Sequence, residues 1–200
     1  MNAQKITDNT LKYLWTSVVY LVVSVIVFGF VYPVVMTLLS QLIFPHQANG
    51  SIVYVKGKAV GSSIIGQLWT KPQYFHGRPS AAGKGYDPTS TGATNLGPTS
   101  KKLIDSTKAT IAALQKENPE GWGQLPMDLV TSSGSGLDPD ISPAAADYQA
   151  PRVAQARHLA VDVVRKLIAQ HVRGRTLGVL GEPRVNVMEL NLALDGKTSQ

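Results

Sequence analysis

Cysteine is absent from the 200 residues, which excludes disulfides, thiolate catalysis and cysteine-ligated zinc or iron–sulfur centres. Charge is scarce too: Asp, Glu, Lys and Arg make up 16% against 44% hydrophobic residues, too apolar a balance for a disordered chain. The 19 Lys and Arg outweigh 13 acids for a net charge of +6, yet no basic tract exceeds two residues. Cations scattered in this way serve solubility or attraction to acidic lipid, not nucleic-acid binding. None of the four histidines stands in a His-x-x-x-His or His-Glu pair, so no metal centre is expected.

What the chain does have is one long apolar run. Residues 13–45 carry no charge, and 20 of the 26 residues from 14 to 39 are apolar. As a helix that stretch would rise about 39 Å, enough to cross a hydrocarbon core of about 30 Å with some tilt. Tyr13 and Trp15 suit an interfacial belt, and Pro33 lies late enough to act as a kink. A cleaved leader would need a shorter apolar stretch and an Ala-x-Ala-like site, and both are missing. Ser17, Ser24, Gly29 and Thr37 are small or polar groups suited to close contact with another helix. Lys5 and Lys12 precede the span and the next cations are Lys56 and Lys58, which favours a cytoplasmic amino terminus and a body on the outer face. The expected organisation is a short cytoplasmic segment over 1–13, a transmembrane helix over 14–39, a linker over 40–50 and an extracytoplasmic α+β domain over 51–200.

Within that domain, Ser51-Ile52-Val53-Tyr54-Val55 predicts a strand and Lys56-Gly57-Lys58 a turn. The run through Ile64, Ile65 and Leu68 predicts a second strand or short helix. Residues 71–99 are crowded with Gly, Pro, Ser and Thr, and read as an ordered irregular loop that packs on a partner. A helix is expected over 99–118, and a stronger one over 151–172 with Pro151 in its first turn. The alternation Val185, Val187, Leu190, Leu192 and Leu194, with a step at Met188, predicts a terminal strand with a bulge. Strands and helices in this order suggest an α+β domain.

The candidate chemical motifs resolve into structural ones. His76 to Lys84 has glycines and a lysine, but the spacing is wrong for a phosphate-binding loop. Ser132-Ser133-Gly134-Ser135-Gly136 lacks the glycine spacing of a hydrolase elbow. Asp128, Asp138, Asp140 and Asp147 fall within twenty residues; Ser142 with Pro143 caps a short helix, and the aspartates make turns. An acidic mouth that draws cations is the functional alternative, resting on Asp138 and Asp140. No catalytic residue is assembled, and His158 and His171 read as surface residues of the long helix.

Longer wording is more specific. Gly66-Gln67-Leu68-Trp69 leads to Tyr74-Phe75-His76-Gly77-Arg78-Pro79-Ser80-Ala81-Ala82, then Gly85-Tyr86-Asp87 and Asn95-Leu96-Gly97-Pro98-Thr99. Asp128-Leu129-Val130-Thr131-Ser132-Ser133-Gly134-Ser135-Gly136-Leu137-Asp138-Pro139 and Leu177-Gly178-Val179-Leu180-Gly181-Glu182-Pro183-Arg184-Val185-Asn186-Val187 complete the set. In this order the strings strongly resemble the C subunit of the bacterial Kdp potassium-transporting ATPase. The resemblance implies an accessory, non-catalytic subunit of an inner-membrane pump. Its partners would be a potassium-conducting subunit, a P-type ATPase subunit and a small stabilising subunit. It further implies a role as a catalytic chaperone for ATP, with nucleotide contact at Ser133, Gly134, Ser135 and Gly136, although no cofactor is expected to bind firmly. Two functions stay open: an outer-face module docked near the potassium entrance through Tyr74, Phe75, Arg78 and Tyr86, and a nucleotide-contacting chaperone. A body outside the membrane would not reach cytosolic ATP across about 30 Å of hydrocarbon.

Overall fold

A computed structural model describes residues 3–121 and 124–196, which form two compact units, Met1–Ser51 and Ile52–Gln200. The outermost limits expected for the first and last segments, residues 1 and 200, lie outside the described residues.

The first unit is nearly all helix: α1 (Ala3–Ile26), one π turn (Val27–Val31), α2 (Tyr32–Ile43) and the single turn α3 (Pro45–Ala48). The π turn has a clear cause. Pro33 has no N–H to give to residue 29, and its ring would crowd that carbonyl. Widening the turn before it solves both problems, and the Tyr32 N–H donates to the Val27 carbonyl five residues back. Residues Thr10–Ile43 form 34 continuous helical residues, with mean hydropathy 2.6 and unburied side chains over an 18-residue stretch, long and apolar enough to span a bilayer. The rod thus extends beyond the 14–39 core of the apolar run.

The second unit mixes short strands with helices. β1 (Ile52–Val55) and β2 (Lys58–Ser62) form an antiparallel hairpin. Lys56 and Gly57 at its turn both have positive φ, the pairing a two-residue hairpin of native twist requires. β2 therefore lies earlier than the second element expected around Ile64–Leu68. A bulge falls between Val53 and Tyr54, not in the terminal strand where it was expected. Residues 63–100 contain no helix or strand, then α4 (Lys101–Glu117) and a 3-10 turn (Met127–Leu129) follow.

The remaining elements are β3 (Asp140–Ile141), α5 (Pro143–Arg157), α6 (Val161–His171), β4 (Val172–Arg173), β5 (Arg184–Asn186) and α7 (Val187–Leu194). β5 lies between β3 and β4, antiparallel to both. Two expectations fail here. The single helix over 151–172 is two helices, because His158 enters the left-handed region and its N–H closes on the carbonyls of Ala154 and Gln155. Pro151 stands inside α5 instead of starting it; the start is Ser142, whose hydroxyl accepts from the Ala145 N–H at 3.0 Å, with Pro143 next. The expected bulged strand after Val185 is a helix, because the Asn186 side chain accepts from the Glu189 N–H and caps α7.

The core gathers on α5. Ala145, Ala146, Ala150 and Val153 pack with Phe75, Leu129, Ile141, Val164, Ile168, Val185, Val187 and Leu190. Val53, Met188 and Leu192 form a smaller cluster, and Trp69 packs against both.

Candidate functional site

Residues 73–76 are half-buried around the fully buried Phe75, and no strand lies beside them to satisfy their backbone. Four side chains from α5 and α7 do the work of a strand. Asn191 accepts from the Phe75 N–H at 2.8 Å and donates to the Phe75 carbonyl at 3.0 Å. Gln149 does the same for His76, at 2.8 and 3.1 Å. An amide side chain carries one donor group and one acceptor, so each imitates a peptide unit. Arg152 donates to the carbonyls of Pro72 and Tyr74, to Asn118 Oδ1 and to Gln149 Oε1. Arg157 donates to the carbonyls of Gln73 and Leu194 and pairs with Asp195 at 2.8 Å. Its guanidinium also lies 5.0 Å from the Tyr74 ring centre, and the Tyr74 hydroxyl donates to Asp195 at 3.0 Å.

His76 joins this clamp to the end of α4. Its Nδ1 lies 3.0 Å from Glu117 and its Nε2 3.1 Å from the Lys71 carbonyl. Burial, first, and the Arg152 charge, second, hold its pKa below the ordinary value, while Glu117 and the Lys71 carbonyl oppose them.

The rest of the loop is laced to residues 132–138. Arg78 pairs with Asp138 at 3.0 Å, and the Tyr86 hydroxyl donates to the Arg78 carbonyl at 2.7 Å. Burial, then the Asp138 charge, push the Tyr86 pKa up to about 12. Ser80 Oγ donates to the Gly136 carbonyl and accepts from the N–H groups of Ala82 and Tyr86. Gly136 has φ +70°, and a Cβ there would stand 2.7 Å from the Ala82 nitrogen, so the two segments meet where only glycine fits.

An open cleft of about 620 Å³ lies beside this lacing, lined by Arg78, Asp128, Asp138, Asp140, Ser142 and Arg184 among others. Its carboxylates are engaged. Asp138 faces Arg78, Asp140 faces Arg184 at 3.0 Å, and Asp128 accepts from the Ser142 N–H at 2.7 Å. Burial raises the Asp140 pKa, with Arg184 acting against it. Asp147 is exposed on α5 and does not line the cleft. Three of the four clustered aspartates are therefore held in pairs or caps, and two arginines share the cleft with them.

The expected interface residues are placed as follows. Phe75 is 0% exposed and belongs to the core of this chain, so its ring has no surface to offer a partner. The guanidinium of Arg78 finds its carboxylate at Asp138 within the chain, and Tyr74 and Tyr86 are half-buried by the contacts above. In the Ser133–Gly136 stretch, the buried Ser133 Oγ accepts from the Gly136 N–H at 2.9 Å, and the Ser135 carbonyl accepts from Thr91 Oγ1 and the Gly92 N–H. Gly134 and Ser135 are exposed. His46 lies in α3, while His158 and His171 end α5 and α6 rather than sharing one helix. Among the described residues no group of three His, Asp or Glu is placed to hold a metal ion. The clamp residues Gln149, Arg152, Arg157 and Asn191 were missed in the sequence; their signal was polar side chains set beside small or aliphatic neighbours such as Ala150, Val153, Ala156, Leu190 and Leu192.

Comparison with known proteins is decisive at this point. Residues 14–196 match the family model of the c chain of K⁺-transporting ATPases. The chain belongs to this family. It is similar to the potassium-transporting ATPase KdpC subunit of Koribacter versatilis, 52% identical over 186 residues, covering 92% of this chain and 95% of the relative. The corresponding subunit of Acidobacterium capsulatum is 52% identical over 185 residues, covering 92% and 98%. That of Sorangium cellulosum is 50% identical over 187 residues, covering 93% and 98%. The chain is thus an accessory subunit of the potassium pump, membrane-associated through one candidate amino-terminal span. For such a subunit, the side-chain clamp describes how an irregular surface is kept rigid without a sheet beneath it.

Proposed function

We propose that the body is a non-catalytic module on the outer face of the inner membrane, needed for assembly and activity of the pump. It docks on the potassium-conducting subunit near the ion entrance, beside the P-type ATPase and small stabilising subunits, with no nucleic acid involved. The observation that carries this reading is the use to which the polar side chains are put. Arg78, Asp138, Gln149, Arg152 and Asn191 all hold the chain's own loops in place. A rigid irregular surface suits recognition, because little entropy remains to be lost on docking. In the alternative, a catalytic chaperone that raises the ATP affinity of the ATPase subunit, ATP would bind only through the complex and touch Ser133 to Gly136. Several groups of that stretch already close their own turn, which favours docking.

Protease added to intact spheroplasts tests the placement. Cleavage within the irregular residues 88–100 is expected without permeabilisation. Protection until the membrane is opened would put the body in the cytosol and support the nucleotide reading.

Cation steering by Asp138 and Asp140 retains only the charge left over from their arginine pairs. Asp138→Asn is expected to lower the stability of the full chain by about 1–2 kcal/mol, since a half-buried guanidinium loses its carboxylate. The apparent KM of the assembled pump for potassium should stay unchanged. A raised KM at low ionic strength with unaltered melting would instead support steering.

A further inference from the structure

β4 and the segment that joins it to β5 are exposed at every position from 172 to 183. The segment is nevertheless ordered by its own bonds. Thr176 and Leu180 form an antiparallel bridge, with their N–H groups donating to each other's carbonyls at 2.8 and 2.9 Å. Arg175 closes the stem on both oxygens of Glu182, at 2.9 and 2.7 Å. Leu177 and Gly178 turn the tip with positive φ, a strained choice for a leucine. That geometry leaves Leu177 87% exposed, Val179 71% and Leu180 58%. Three aliphatic side chains are therefore held out into solvent on a narrow stem. At Gly178 and Gly181, an added Cβ would meet nothing within 4 Å.

We infer that this hairpin tip is a docking element that inserts Leu177, Val179 and Leu180 into an apolar groove on another protein subunit of the pump. The inference rests on the subunit reading above and names the element that would carry it. Exposed aliphatic clusters on ordered elements mark interaction sites, and a preformed hairpin loses little freedom on binding. A lipid surface fits less well. Residues 172–184 contain no aromatic side chain or lysine to sit at the headgroups. The arginines of the stem are engaged too: Arg173 by Glu189, Arg175 by Glu182 and Arg184 by Asp140. The tip is also small beside the roughly 800 Å² per partner of a stable free-standing interface. It suits a chain that its spanning helix already confines to the same membrane, where effective concentration replaces contact area.

The test uses the whole pump, purified through a tag on another subunit. The double variant Leu177→Asp and Leu180→Asp should reduce recovery of this chain about tenfold or more, since charge would enter an apolar groove. Melting of the purified full chain should hardly move, because the altered side chains are mostly exposed. Independently, Val179→Cys gives a unique thiol in a chain without cysteine, to which a photoactivated cross-linker is attached in the assembled complex. An adduct with a pump subunit is expected, and it decides the matter even if the double variant folds poorly. Full recovery of a well-folded double variant, or adducts with lipid alone, would overturn the proposal. Deleting the whole chain serves as the control: a pump that assembles and transports without it would defeat the accessory-subunit reading itself. A chain that is required while its tip is dispensable would defeat only the hairpin.

Discussion

Arg152→Ala is expected to cost about 3–5 kcal/mol of folding stability, the range for removing one partner from a buried charged network. The guanidinium is 7% exposed and donates to two loop carbonyls, Asn118 and Gln149, with Glu117 at 3.7 Å. Burial pulls its pKa down and Glu117 opposes the shift, but a guanidinium stays charged throughout the working pH range. Alanine leaves the Tyr74 carbonyl and Asn118 Oδ1 without this donor, and it removes one of the two ties between the end of α4 and the loop at 72–76, the other being His76 with Glu117. Against a total stability of about 5–15 kcal/mol, that loss populates the unfolded chain measurably. Urea unfolding of the full chain in detergent checks it, read as a fall in the midpoint. Arg152→Lys should recover only part of the loss, since an ammonium lacks the planar fork that reaches several acceptors at once. A loss under about 1 kcal/mol for alanine would mean that water replaces the guanidinium and that the clamp is not structural.

The parts of the fold legible in the sequence were those whose cause is local. A charge-free run long enough to span a bilayer, Lys56-Gly57 at a hairpin turn, and Ser142-Pro143 at a helix start act over a few residues. The errors arose where burial on several sides erased the pattern. α5 buries every residue from Ala145 to Ala154 except Asp147, and these lie all round its circumference, so no single apolar stripe marked it. Val187 to Leu192 is buried almost continuously, and its chance alternation resembled a strand until the Asn186 cap settled the matter. Pro151 suited a first turn, but α5 accommodates it internally by forgoing one helical bond. The site was less legible still. That Gln149 and Asn191 each stand in for a peptide unit depends on residues 73 and 116 positions away in the chain. No local spacing encodes such a pairing. Aromatic residues in a loop carry the same ambiguity, since an interface anchor and a core anchor have the same composition.

Phe75 separates those two roles by experiment. Its ring is wholly buried among the α5, α6 and α7 residues of the core, and its backbone is held on both sides by Asn191. Phe75→Ala therefore removes a large buried side chain and leaves a cavity that a backbone pinned in this way closes poorly. The expected loss is about 3–5 kcal/mol. Phe75→Leu should cost less, because most of the volume remains. Unfolding of the purified full chain should shift to lower urea with little change in slope, as for a loss of stability without a change in buried surface. Recovery of the pump complex should then fall in proportion to the folded fraction, and it should be restored by lowering the temperature or by a stabilising change elsewhere. An interface anchor would behave otherwise: alanine would leave melting unchanged and abolish assembly at every temperature. That second pattern would mean that the 72–76 segment leaves its clamp on docking and presents the ring outward. The amides of Gln149 and Asn191 would then have to find new partners in the complex.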